Sequence, residues 1–213
     1  MPDTGLKKRY REALRAPINR KQRARLRNQS PSIIANNCNG GVIAHDLGLR
    51  FMSPTVNLYF AFPDYIRFLE RLDYYLALSP EAMKPLERGS FDDTCPCGVL
   101  DDVRMAFTHY PTFEEARNKW FERARRVDKG NLFVMLTQRD GCTERDVEAF
   151  DALPIEHKVA FVTVPMPKCS SAIYISNFVD GTQVGVLSEY VSIFSGRRII
   201  DDFDYVRFLN GDF

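Results

Sequence analysis

Two apolar runs, NLFVML (131–136) and KVAFVTV (158–164), flank a segment from Thr143 to about Ala152 whose apolar residues recur at helical spacing. Short apolar runs bounded by polar turns read as buried strands. Two strands joined through a helix lie parallel, since a hairpin cannot connect them. The same alternation extends in both directions. SIIAN (32–36) and TVNLYF (55–60) read as buried strands, VRMAFTHY (103–110) as a central strand and SAIYI (171–175) as a further one. Residues 63–78 place Tyr65, Leu69, Leu72 and Leu76 on one helical face, with Pro63 suited to the first turn. Another helix is expected from Phe113 to Val127, and a last short one around FDYVRFLN (203–210). The fold class that follows is α/β, a mostly parallel sheet flanked by helices on both faces, with a basic N-terminal extension.

With 213 residues, 45% of them hydrophobic, the chain can bury one substantial core. The expected division is a basic arm, residues 1–30, and a single α/β domain, residues 31–213. No run reaches the roughly 18 uninterrupted apolar residues of a membrane span, and the N-terminus is charged where a signal peptide is apolar. A cytoplasmic protein is therefore expected. Its five cysteines, at 38, 95, 97, 142 and 169, are odd in number and widely scattered, which argues against a disulfide framework.

Charge is unevenly distributed. Residues 1–30 hold ten Lys and Arg against Asp3 and Glu12, whereas the remainder has more acids than bases. Such an arm can fold back on its own acidic body or meet an anionic partner. Anionic membrane lipid is the partner considered, with residues 1–30 as a peripheral contact. Tyr10 is the sole aromatic of the arm, so base stacking is poorly served and no nucleic acid is expected. Pro17 is expected to split the arm into two short helical pieces.

Ligands of open α/β sheets bind beyond the carboxyl ends of strands, which directs attention to the loop NNCNGG (36–41). Gly40 and Gly41 permit close backbone approach or positive φ, and the amides of the following helix can face an anion. The loop is neither GxGxxG nor a P-loop. The amides of Asn36, Asn37 and Asn39 can donate to a carbonyl oxygen or hold a sugar hydroxyl. Cys38 sits at the helix start, where the macrodipole lowers a thiol pKa, so it is a candidate nucleophile as well as a packing residue. His45, a turn or two into the helix, and His109-Tyr110, at a strand end, are expected to approach the same sheet edge. His109 is the preferred general base.

Helix 113–127 is well specified, with Thr112 and Glu115 forming a capping box and Phe113, Ala116, Trp120, Ala124 and Val127 an apolar stripe. Lys119, Arg123 and Arg126 fall beside the stripe, either covering the core edge or forming an anion clamp. The CPC segment (95–97) lacks the second ligand pair of a structural zinc site, and no metal is assigned. TQRDGC (137–142) reads as a βα loop in which Asp140 can contribute a carboxylate.

SIIANNCNGGVIAHDLGLRFMSPTVNLYF, PDYIRFL, FTHYPTFEEARNKWFERARR, NLFVMLTQRDGC and the closing FDYVRFLN together resemble a bacterial domain family of unknown function associated with exopolysaccharide biosynthesis, whose genes lie in capsule and exopolysaccharide clusters. The resemblance covers roughly residues 30–211, leaving the arm outside. It matches at Asn37, Cys38, Gly40, Gly41, Asp46, Leu47, Ser53, Pro54, His109, Tyr110, Lys119, Trp120, Arg123 and Arg126. Asn39 stands where the family commonly has an aromatic, so a stacking platform for a sugar or adenine ring is absent. The Asn-Cys pair is also similar to the start of capsule acyltransferases that bind coenzyme A. The resemblance implies a transferase of polysaccharide assembly acting on a sugar or polysaccharide precursor, with an acyl-CoA donor. In that reading Lys119, Arg123 and Arg126 meet phosphates, His109 takes a proton, and Asn37 with the loop amides holds an oxyanion. Two alternatives remain open: a metal-dependent glycosyltransferase using a nucleotide sugar, with Asp140 at the metal, and a noncatalytic module binding precursor or membrane enzymes.

Overall fold

A computed structural model describes residues 5–175, 179–180 and 182–213. In chain order the elements are α1 (Gly5–Arg25), β1 (Ser32–Ala35), α2 (Asn39–Leu47), α3 (Asp64–Glu70), α4 (Leu72–Ala77), β2 (Met83–Pro85), β3 (Cys97–Leu100), β4 (Val103–Ala106), α5 (Phe113–Ala124), β5 (Leu132–Thr137), α6 (Glu144–Ala152), β6 (His157–Val162), β7 (Ala172–Tyr174), β8 (Val179–Asp180), β9 (Gln183–Val184) and α7 (Tyr205–Leu209). The main sheet has the order β1-β5-β6-β7, and all three of its pairings are parallel.

Both faces of this sheet are covered, so its strands are apolar at successive positions rather than at alternate ones. Ile34, Val134, Leu136, Ala160 and Val162 point to one face, where they meet Tyr65 and Phe68 of α3, Trp120 of α5 and Phe150 of α6. Ile33, Ala35, Phe133, Met135, Val159 and Phe161 point to the other, against Ile43 and Leu47 of α2 and Phe208 and Leu209 of α7. The near-identical hexapeptides DYIRFL and DYVRFL thus pack on opposite faces of one sheet. Each buries its Tyr, Phe and Leu completely or almost so.

Four local expectations need correction. Residues 55–60 are buried but form no strand. Asn57 has φ +65°, which breaks the extended run, and only Tyr59 makes a bridge, to Ala106. The segment instead covers the outer edge of β1: Thr55 Oγ1 accepts from Ala35 N–H at 3.1 Å, and Phe60 N–H donates to the Asn36 carbonyl at 2.9 Å. The helix expected over 63–78 is two helices, because Arg71 leaves helical geometry (φ −122°, ψ 35°) and re-aims α4. VRMAFTHY is extended only over β4, which belongs to a separate antiparallel sheet of order β2-β3-β4. Helix α5 stops at Ala124, before Val127, and while Thr112 does cap it by accepting from Glu115 N–H, the reciprocal capping box occurs at Thr143 and Asp146 of α6.

Pro17 does not split the arm. α1 runs through it unbroken from Gly5 to Arg25. A proline inside a helix removes one N–H donor and crowds the preceding turn, but side chains on both sides of Pro17 fasten this helix to the body. Arg15 Nε donates to Asp46 Oδ2 at 3.0 Å, and Arg23 Nε donates to the Asp46 carbonyl at 2.9 Å.

Candidate functional site at the carboxyl edge of the parallel sheet

Loop 36–38 leaves β1 at the carboxyl edge, and its asparagines fasten it there. Asn36 continues the β1–β5 ladder with its side chain, donating from Nδ2 to the Thr137 carbonyl at 3.0 Å and accepting from Thr137 N–H at 2.9 Å. Asn39 Nδ2 donates to Thr137 Oγ1 at 3.1 Å, and Asn37 Oδ1 accepts from Asn39 N–H at 3.0 Å. Asn36 and Asn39 are buried, which gives them a structural duty in place of the expected ligand contact, while Asn37 is half-buried. The glycines serve packing. A Cβ on Gly40 would come within 3.0 Å of Ile33 Cγ2, and one on Gly41 within 3.2 Å of Val56 Cγ1. Neither takes positive φ; they let α2 lie directly on β1 and the covering segment.

Cys38 stands at the N-cap of α2. Burial pushes its thiol above the ordinary cysteine value, and the hydrogen bond to Thr108 offsets this only in part. Burial thus acts on this thiol against the lowering expected from the helix terminus. Its Sγ lies 3.5 Å from Thr108 Oγ1 and 3.9 Å from the Leu58 carbonyl. The Thr108 contact draws the turn after β4 against the loop. His109, next in that turn, is exposed, and its imidazole has no hydrogen-bond or ion-pair partner among the described residues.

Tyr110 turns the other way. Its hydroxyl donates to the Val56 carbonyl at 3.3 Å and accepts from Arg123 Nη1 at 2.6 Å. The α5 cations have partners within the chain: Lys119 and Arg126 both pair with Glu122, Arg126 also donates to the Phe51 carbonyl, and Arg123 lies over the Phe51 ring. They cover the core edge, as one of the two sequence readings allowed. Asp140, at φ +55°, follows β5 and receives Arg139 Nε at 3.2 Å; the nearby Tyr59 phenol is raised by burial first and its hydrogen bond to Asp92 second, with Asp140 adding least. At the CPC segment, burial first and the Asp92 carboxylate second push Cys95 up to about 11.

His45 does not join this cluster. It projects from the last turn of α2, 78% exposed, about 9 Å of helix rise from Asn39. There it faces α1. Sequence reasoning also missed Thr108 and Thr137, the two hydroxyls that knit the loop together. The polar end of the run LFVMLT was the available signal.

A second constellation lies where α1 meets α2 and the C-terminal segment. Arg15 is buried between two acids, Asp46 and Asp201. Burial works against its charge, but the Asp201 hydrogen bond and both carboxylates outweigh it and hold its pKa above the ordinary arginine value. Arg198 Nε reaches Asp46 Oδ2 at 3.1 Å, and Arg25 and Arg27 pair with Asp204 and Asp212. The arm thus folds back on acids of the body. Beside this network a cleft of about 650 Å³ is lined by Lys8, Arg11, Arg20, Arg23, His45 and Tyr190, among others.

Among the described residues no helix is long and apolar enough to cross a membrane, and no group of three His, Cys, Asp or Glu is arranged to hold a metal ion. Fold and site define an α/β protein whose parallel sheet ends in a knitted loop cluster and whose N-terminal helix is bound ionically to its C-terminal segment. The chain belongs to the family described as Domain of unknown function (DUF1919), whose model matches residues 9–210. The match begins inside α1, so the family includes most of the arm that the resemblance left outside. The chain is also 41% identical, over 193 residues, to a protein of Haemophilus influenzae (strain Rd) named only as uncharacterized, a similarity that covers 91% of this chain and 90% of that one.

Proposed function

We propose that this protein is a transferase of bacterial exopolysaccharide or capsule assembly that moves an acyl group from an acyl-CoA to a sugar hydroxyl at the carboxyl edge of the sheet. The sequence resemblance supports the pathway. The observation that carries the site is the Cys38–Thr108 contact at 3.5 Å, which sets the exposed His109 beside the loop after β1. In this reading the sugar hydroxyl gives its proton to the His109 imidazole as its oxygen bonds to the acyl carbonyl carbon. The thioester C–S bond then breaks, and the CoA thiolate leaves and takes the proton from the imidazolium. Asn37 Nδ2, which no described residue engages, donates to the carbonyl oxygen as charge develops on it. The raised thiol of Cys38 favours this direct transfer over an acyl-cysteine intermediate. Lys119 and Arg126 are paired with Glu122 and Arg123 with Tyr110, so this reading does not rely on them as a donor clamp.

Thermal-shift titration with acetyl-CoA, UDP sugars and GDP sugars, with and without magnesium or manganese, tests the donor. Acetyl-CoA at a hundred times its Kd stabilises the fold by about 2.7 kcal/mol, a rise in Tm of a few degrees. A shift that requires both nucleotide sugar and metal would replace acyl with glycosyl transfer, and no shift with any donor would leave a noncatalytic binding module.

The reading places the enzyme on the cytoplasmic side of the membrane, with α1 as a peripheral contact. Leu6 and Tyr10, 80% and 50% exposed, lie one turn apart on α1 beside Lys7 and Arg9, an arrangement suited to an anionic interface. Co-sedimentation with phosphatidylglycerol vesicles that is lost in Leu6→Ser/Tyr10→Ser supports that contact; sedimentation equal in both proteins rules it out.

A further inference from the structure

We propose that the cleft between α1, the end of α2 and Tyr190 binds a small molecule bearing a diphosphate group, held by Lys8, Arg20 and Arg23. This stands independently of the transferase reading, because it draws on none of the carboxyl-edge residues.

The charge of the cleft is its first support. Six Lys and Arg line it against two carboxylates, Glu12 and Asp46. Asp46 is engaged by the buried Arg15 and the half-buried Arg198, which together form a floor. Above that floor Lys8, Arg20 and Arg23 keep donors for a ligand. Arg20 has no partner among the described residues. Lys8 reaches Glu12 only at 3.9 Å, with both side chains exposed. Arg23 uses Nε on the Asp46 carbonyl, which leaves its Nη groups to donate. Guanidinium forks match phosphate oxygens in pairs, and a single carboxylate ligand would leave most of these donors unanswered. The α5 cations are the internal contrast, since Lys119 and Arg126 both hold Glu122 in direct ion pairs.

Shape is the second support. The cleft volume of about 650 Å³ falls within the roughly 300–1,000 Å³ of small-molecule sites. Its cations face a concavity, whereas a bilayer meets a projecting surface. At one end the guanidiniums of Arg198 and Arg11 lie over the Tyr190 ring, 4.6 and 5.2 Å from its centroid, so cation and aromatic are positioned together.

Calorimetric titration of the full chain with inorganic pyrophosphate, at fixed ionic strength, tests the site. Saturable one-to-one binding is expected, tighter than for orthophosphate, and Lys8→Ser/Arg20→Ser should weaken it at least tenfold. Both residues are exposed or loosely paired, and circular dichroism would verify that the variant folds. Lys84→Ser/Arg88→Ser, which removes two exposed cations elsewhere, should leave the affinity unchanged. No saturable binding, or an equal loss in both variants, would overturn the proposal. So would binding to phosphatidylglycerol vesicles without any response to pyrophosphate, since the cations would then serve a lipid surface.

Discussion

Arg15 Nη2 stands 3.0 Å from Asp46 Oδ2, with the two side chains only 3% and 4% exposed. A charge pair this well sealed is costly to break by halves. Arg15→Met would leave Asp46 and Asp201 facing each other in the interior, and breaking a buried pair by removing one partner costs about 3–5 kcal/mol. Arg198 still serves Asp46, so a loss near the lower end is expected, read from the midpoint of urea unfolding. Arg25→Ser provides the contrast. Its partner Asp204 is 40% exposed and Arg25 itself 42%, so about 0–1 kcal/mol is expected there.

Gly196 fixes the other wall of α1. Its carbonyl accepts from Arg15 Nη1 at 3.2 Å, and a Cβ at this position would run into the Leu14 carbonyl. Backbone cannot yield as a side chain tip does. Gly196→Ala should therefore cost about 1–3 kcal/mol and increase trypsin cleavage within α1, whose exposed Lys and Arg are held in regular helix while it is docked and would enter a protease cleft when it unwinds. Unchanged proteolysis would show that the C-terminal segment does not hold the helix.

If His109 removes the sugar proton, His109→Ala should lower kcat for acyl transfer by about 10²–10⁴. Thermal stability should change little, because the imidazole is exposed. Cys38→Ser should keep most of the turnover. A Cys38 variant as inactive as the His109 variant would restore the covalent route.

The Cys38 thiol should behave as an unreactive one. With its pKa raised by burial, its thiolate fraction at neutral pH lies below that of a free cysteine, whose pKa is about 8.5. Peptide-resolved iodoacetamide labelling should rise with pH along a curve displaced upward from that of glutathione. A curve displaced downward would mean that the helix dipole prevails over desolvation.

Asp151 supplies an acid-sensitive clasp. Its Oδ1 accepts from Ser171 N–H at 2.8 Å and Ser171 Oγ at 2.6 Å, and its Oδ2 from Ser170 N–H at 3.2 Å. Burial acts to raise its pKa, but these bonds outweigh it and hold the carboxyl below the usual aspartate value. A depressed carboxylate contributes stability that is complete above the unfolded pKa, about 3.9, and disappears as pH falls through the folded value. The urea midpoint of the wild type should therefore drop more steeply below about pH 4 than that of Asp151→Asn. Parallel curves would remove Asp151 from the acid response.

Much of the fold was legible because its signals are local. β1, β5, β6 and β7 are apolar runs, and Thr112 and Thr143 sit at helix starts where their side chains cap. The hexapeptides DYIRFL and DYVRFL were legible as parts of helices, yet nothing in six residues says which face of a sheet they cover. TVNLYF has the composition of a strand, but Asn57 in the left-handed region turns it into a cover for the β1 edge. At the site, the sequence singled out loop 36–41 and His109. It did not reveal that Asn36 and Asn39 are bound to Thr137, or that Thr108 meets Cys38, because those partners lie 101, 98 and 70 residues away.

The sequence by itself determined the class of the protein, since apolar periodicity and turn chemistry act over a few residues and impose parallel strands covered by helices. Its charge count also allowed for an arm that folds back on the acids of the body. Only the tertiary structure decided which cations would be neutralised and which would line a cleft. Arg15 meets Asp201 across 186 residues of chain, while Arg20, five residues further along the same helix, has no partner among the described residues. Neighbouring cations on a helix point in different directions, so their fates depend on what the folded chain brings opposite each one.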